Sequence, residues 1–81
     1  MIILNELKML TQDDVASLLN IHRTQVSMLR QVGILKAIKT GRNYMFSQET
    51  IKDFQHDYAG YDVSNAENAR QSYLTVNANH E

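Results

Sequence analysis

The apolar residues of this chain change their period from helical to alternating at Gly33 and back to helical at Ser47, and few folds accommodate two such changes in so short a span. Upstream the spacing is helical. Thr11 with Asp14 three residues on reads as a capping box, opening a helix with Val15, Leu18 and Leu19 on its apolar side and small Ala16 beside them. Asn20 tolerates the left-handed region and turns the chain there. A second helix begins near His22 or Arg23, carries Val26 and Leu29 on its inner side and ends at Gly33. Downstream the period becomes two: Leu35, Ala37 and Lys39 alternate with Lys36 and Ile38, Thr40-Gly41-Arg42 turns the chain, and Tyr44 and Phe46 alternate with Asn43 and Met45. That pattern predicts a two-stranded hairpin. Ser47 then caps a third helix with Glu49 in its first turn and Ile51, Phe54 and Tyr58 along its buried stripe, stopping near Gly60.

The joint spacing of the first two helices is informative. A small residue at Ala16 permits a close crossing, a turn-former follows four later at Asn20, and Val26 and Leu29 pin the second helix across the first. These are the requirements of a helix-turn-helix, although an ordinary helical hairpin meets them too.

With 81 residues there is room for one small domain, and without cysteine there is no disulfide framework, thiolate metal site or cysteine nucleophile. His22, His56 and His80 are too scattered to predict a metal site, and Asp53 and Asp57, one helical turn apart, read as a solvated face rather than paired catalytic carboxylates. No phosphate loop or nucleophile motif occurs, so neither an enzyme nor a cofactor is expected. No apolar run approaches a membrane span and Met1–Met9 makes a poor signal peptide, which predicts a cytoplasmic protein.

Net charge is −1, but the average conceals a division. Between Val15 and Gln48 there is no acid, while Arg23, Arg30, Lys36, Lys39 and Arg42 all fall inside that stretch. One basic and one acidic face are expected, and a basic face is the usual footprint for nucleic acid.

Residues 10–58 resemble the excisionase-type helix-turn-helix family, compact relatives of the winged DNA-binding domain of MerR regulators. The resemblance is carried by Leu10-Thr11, by Asp14, Val15, Ala16 and Leu19, by Thr24, Val26 and Leu29, and above all by Gly33, Leu35, Ala37, Lys39, Gly41, Arg42, Tyr44 and Phe46, continuing into Ile51 and Phe54. It implies a mainly α fold with a small β-hairpin, a winged helix-turn-helix, whose second helix enters the major groove of double-stranded DNA while the hairpin reaches the adjacent backbone or minor groove. Departures are Asn20 where glycine is usual, His22 where a capping serine is usual, Lys36 where proline is frequent and Met45 where a basic residue is frequent.

On that arrangement Arg23 is placed to grip a guanine edge or a phosphate, Gln25 to pair with adenine, and Thr24 and Ser27 to meet phosphate or a thymine methyl. Met28 lies either against bases or in a gap of the core. In the wing, Lys39, Thr40, Arg42 and Asn43 surround Gly41, which lets the tip approach phosphate, and Arg42 carries the most weight. Arg30 and Gln31 are expected to touch the backbone at most, and Tyr44 and Phe46 to face the core.

The expected organisation is an apolar segment over residues 1–9, an added strand or a short helix in which Ile2, Ile3 and Leu4 either cap the core or offer a dimer contact, the winged domain over residues 10–60, and a mobile polar tail over residues 61–81, where Ala66, Ala69 and Tyr73 also fit a frayed helix. Two roles fit a DNA binder of this kind: an excisionase-like directionality factor in recombination, with integrase or further copies of itself as partners, and a transcriptional regulator of a phage or mobile element. The rival from another class is a protein-interaction module of the same fold that binds a repressor or integrase instead of DNA.

Overall fold

A computed structural model describes residues 7–78 of the chain. Its elements run β1 (Leu10–Thr11), α1 (Gln12–Leu19), α2 (Arg23–Val32), β2 (Ile38–Thr40), β3 (Asn43–Phe46), α3 (Gln48–Asp57) and α4 (Ala66–Ala78). The expected dimer contact at Ile2, Ile3 and Leu4 lies outside the described residues, as does His80.

The local signals of the sequence act where they stand. Thr11 and Asp14 form the reciprocal capping box at the head of α1. Asn20 ends α1 in the left-handed region at φ 57°, and Gly33 ends α2 at φ 108°. Ser47 Oγ accepts the Thr50 amide and opens α3. Each cap satisfies backbone groups that a helix leaves unpaired at its ends.

The sheet has three strands where two were expected. Strand order is β1-β3-β2, all antiparallel, with Leu10 opposite Phe46 and Thr11 opposite Met45. β2 is also shorter than the alternation implies, because Leu35 is buried in the turn after α2 and pairing starts only at Ile38. The hairpin closes through two residues, with Thr40 opposite Asn43 and positive φ at Gly41 alone. That is the φ pattern of a type II′ turn, which needs glycine at its first central position.

Val15, Val26, Leu29, Ile34, Leu35, Phe46, Ile51 and Ala69 form one buried cluster shared by α1, α2, β3, α3 and α4. Phe46, fully buried, contributes about 2–3 kcal/mol by leaving water. Leu18 departs from expectation: it is 61% exposed, and Leu19 with Ala16 packs the core in its place.

Residues 61–78 require a correction, because they do not form a polar tail. α4 lays Ala69, Ser72, Tyr73 and Val76, at i, i+3, i+4 and i+7, onto the back of α2. The asparagines and serines read as tail composition make the turn that starts it. Asn65 Oδ1 accepts the Asn68 amide at 2.8 Å, Asp62 accepts from the Ser64 amide and hydroxyl and from Asn68 Nδ2, and Ser72 Oγ donates to the Asp62 carbonyl at 2.9 Å. Short polar side chains that bond their own neighbourhood are the ones that also dominate mobile segments, so composition alone misleads here.

Candidate nucleic-acid interface

Tyr44 stands at the middle of the basic surface. Two clefts meet at its ring: Thr11, Gln12, Asp13, Arg23, Arg42 and Asn43 line one with it, and Arg30, Gly33, Leu35, Lys36, Ala37 and Tyr73 the other. Lys39, opposite Tyr44 in the β2–β3 register, brings its Nζ to 6.0 Å from the ring centroid. Of the five basic residues of the acid-free stretch, Arg30 and Lys39 approach the ring itself, and Arg23, Arg42 and Lys36 line the clefts that Tyr44 borders. The fold achieves this by placing β3 between the two faces, with α2 on one side and the hairpin tip beyond.

Arg23 sits at the first position of α2, exposed, and the hairpin carries Arg42 and Asn43 to the same cleft. Thr24 is exposed beside Arg23, and Gln25 is half-buried. Lys39 and Thr40 are exposed on β2, with Thr40 Oγ1 donating to the Asn43 carbonyl at 3.5 Å across the hairpin end. Of these, Arg23, Arg42 and Asn43 line one cleft.

Two residues of the expected set are turned elsewhere. Ser27 is half-buried and its Oγ accepts a 2.6 Å hydrogen bond from Gln12 Nε2 of α1. Its hydroxyl fastens one helix to the other. Met28 packs against the core cluster, which resolves its two expected positions in favour of the core.

Arg30 differs more. Its guanidinium carbon lies 3.8 Å from the centroid of the Tyr44 ring, and its Nε is buried with no hydrogen-bond partner. A guanidinium is the cation best suited to such a stack, since it is planar and weakly hydrated. Tyr44 in turn is half-buried, one side on the core and the other under this cation.

Gln12 and Asp13 also belong to the site, although no motif in the sequence marks them. Gln12 Nε2 also donates to the Arg23 carbonyl at 2.9 Å, and Asp13 Oδ1 lies 3.3 Å from Arg23 Nε. α2 has no acid in its first turn and its N-cap, His22, makes no side-chain hydrogen bond. The carboxylate that such a helix start lacks comes instead from α1. Only a tertiary arrangement brings residues ten apart in sequence together in this way, so no local signal announces it.

Among the described residues no group of three or more histidine or acidic side chains is arranged to hold a metal ion, and no helix is long and apolar enough to cross a membrane. A family model described as a helix-turn-helix domain matches residues 9–57, the span from just before β1 to the end of α3. No curated protein and no solved structure matches the chain.

Proposed function

The chain belongs to the excisionase-type helix-turn-helix family, whose domains bind DNA, and from that premise we propose that it is a small, non-catalytic, sequence-specific binder of double-stranded DNA serving recombination or transcription in a phage or mobile element. The observation that carries this reading is the convergence of Arg23 from the head of α2 and Arg42 from the wing on one cleft, with Arg30, Lys36 and Lys39 around the adjoining Tyr44. α2 enters the major groove, where Arg23, Thr24 and Gln25 meet base edges and phosphate. The wing lays Lys39, Thr40, Arg42 and Asn43 along the neighbouring backbone. Ser27 and Met28 act from behind that surface, holding α2 to α1 and to the core.

Within the family, the excisionase-like role is a matter of how DNA is deformed rather than of chemistry done to it. Backbone contacts from the wing and base contacts from the helix suffice to hold a bent duplex for an integrase. Selection of bound duplexes from fragments of the source replicon tests this. Direct repeats at the ends of an element support a directionality factor, a palindrome at a promoter supports a regulator, and absence of enrichment at both low and moderate salt overturns duplex binding. With four to six phosphate contacts the affinity falls with a log–log salt slope of about −4 to −5. Arg42→Ala weakens all duplexes and lowers that slope by about 1, whereas Arg23→Ala costs about 1–3 kcal/mol at one base position.

A further inference from the structure

Asp13 is the one acid among the residues lining the cleft between α2 and the wing. It faces Arg23 at 3.3 Å through Nε, and both side chains are largely exposed, 65% for Arg23 and 72% for Asp13. An ion pair so open to water adds little stability. Its placement has a different consequence. The closest approach of the carboxylate is at Nε, whereas the terminal nitrogens of a guanidinium are the pair that spans O6 and N7 of guanine. Gln12, the residue before Asp13, holds the backbone at the same point by donating to the Arg23 carbonyl and to Ser27 Oγ.

Resting on the duplex-binding reading, we propose that Asp13 is a specificity-determining residue that presents Arg23 to a base edge and disfavours loose phosphate binding in the cleft. Two effects act together. The carboxylate orients Arg23 from behind, so that a guanine in register meets a preset fork. The same carboxylate cancels one positive charge of the cleft, so that a duplex offering only phosphates gains less. Non-specific binding depends almost wholly on phosphate charge and specific binding only in part, so one negative charge here separates the two. Arg23 alone, on a helix start that disfavours a cation, would bind phosphate wherever it found it.

The test compares Asp13→Asn with the parent on the duplex selected above and on a scrambled duplex of the same composition. The expected result is a gain of about three- to tenfold for the scrambled duplex at low salt, with the selected duplex unchanged or weakened. The ratio of the two affinities then falls by at least about threefold, and the melting curve confirms that the variant is folded. An equal gain on both duplexes overturns the proposal, since it shows a general charge effect. No change on either also overturns it. Arg23→Lys supplies the second arm: it keeps the charge and loses the fork, so it lowers the ratio in the parent and changes it little in the Asp13→Asn background. Failure of Arg23→Ala and Arg42→Ala together to alter any duplex affinity removes the duplex-binding reading itself, a result distinct from failure of the Asp13 arm alone.

Discussion

The guanidinium carbon of Arg30 lies over the Tyr44 ring, 3.8 Å from its centroid, so that the last turn of α2 and the inner strand of the wing share one contact. Because Arg30 Nε has no hydrogen-bond partner, the ring face is the attraction that compensates its burial. Tyr44→Leu keeps most of the apolar contact and removes the π face, so a loss of about 1 kcal/mol is expected in urea unfolding, against about 2–3 kcal/mol for Tyr44→Ala. In the Arg30→Met background the Tyr44→Leu cost shrinks to a few tenths of a kcal/mol.

Asn20 holds φ 57° and ψ 47°, and its amide reaches back to carbonyls of α1. Glycine adopts this conformation without a side-chain penalty and valine does not. Asn20→Gly is expected to leave the melting temperature within a few degrees of the parent, and Asn20→Val to lower stability by about 1–2 kcal/mol. Thermal unfolding of the two variants side by side is sufficient.

Gly33 couples the end of α2 to α4. A Cβ built there meets the Tyr73 ring at 3.3 Å, and φ of 108° already disfavours any other residue. Gly33→Ala is expected to cost about 1–3 kcal/mol. Tyr73→Leu in the same chain recovers only the contact part. A full recovery in denaturant unfolding would show that the backbone conformation contributes nothing.

Removal of residues 61–81 uncovers the back of α2 where Ala69 and Val76 are buried. The shortened chain is expected to melt at least about 10 °C below the parent, since each kcal/mol moves a domain of this size by about 4–8 °C. An unchanged melting temperature would show that α4 adds no stability to the domain.

Two carboxylates make the stability depend on pH in the acid range. The Thr11 amide, and then its hydroxyl, hold the Asp14 carboxyl below the ordinary aspartate value, and the Ser64 hydroxyl and amide, with Asn68, do the same for Asp62. A pKa that is lower in the folded than in the unfolded chain gives stability that is present above the unfolded value, about 4, and is lost as pH falls through the folded one. Melting temperature is therefore expected to drop as pH is lowered from about 5 to about 2, and Asp14→Asn to start lower and fall less steeply.

What the sequence made legible was local. The caps at Thr11, Asn20, Gly33 and Ser47 are chemistry between residues at most a few positions apart, and each acts where its residue type indicates. The match over residues 9–57 bears out the helix-turn-helix family to which the run from Gly33 to Phe46 pointed. Other features were set by tertiary contact. β1 is two residues long, too short for any period, and exists because β3 lies beside it. α4 hides its stripe because three of its four inward positions are alanine, serine and valine. Ser27 faces Gln12 rather than the open side, because a period of 3.6 assigns a helix two sides only coarsely and the crossing of α1 decides the remainder. The pairing of Asp13 with Arg23 belongs to the same class, and it lies just outside the stretch that charge patterning marked as free of acids.

β3 is the middle strand of its sheet, held to β1 at Leu10 and Thr11 near its base and to β2 toward the turn. Mechanically the hairpin is a cantilever, clamped at the root by a third strand and free over its last two residues. Such a beam resists sideways swing and yields perpendicular to its own plane. Arg42, beyond the clamped root, can therefore move out of the plane of the sheet while its position along the sheet stays fixed.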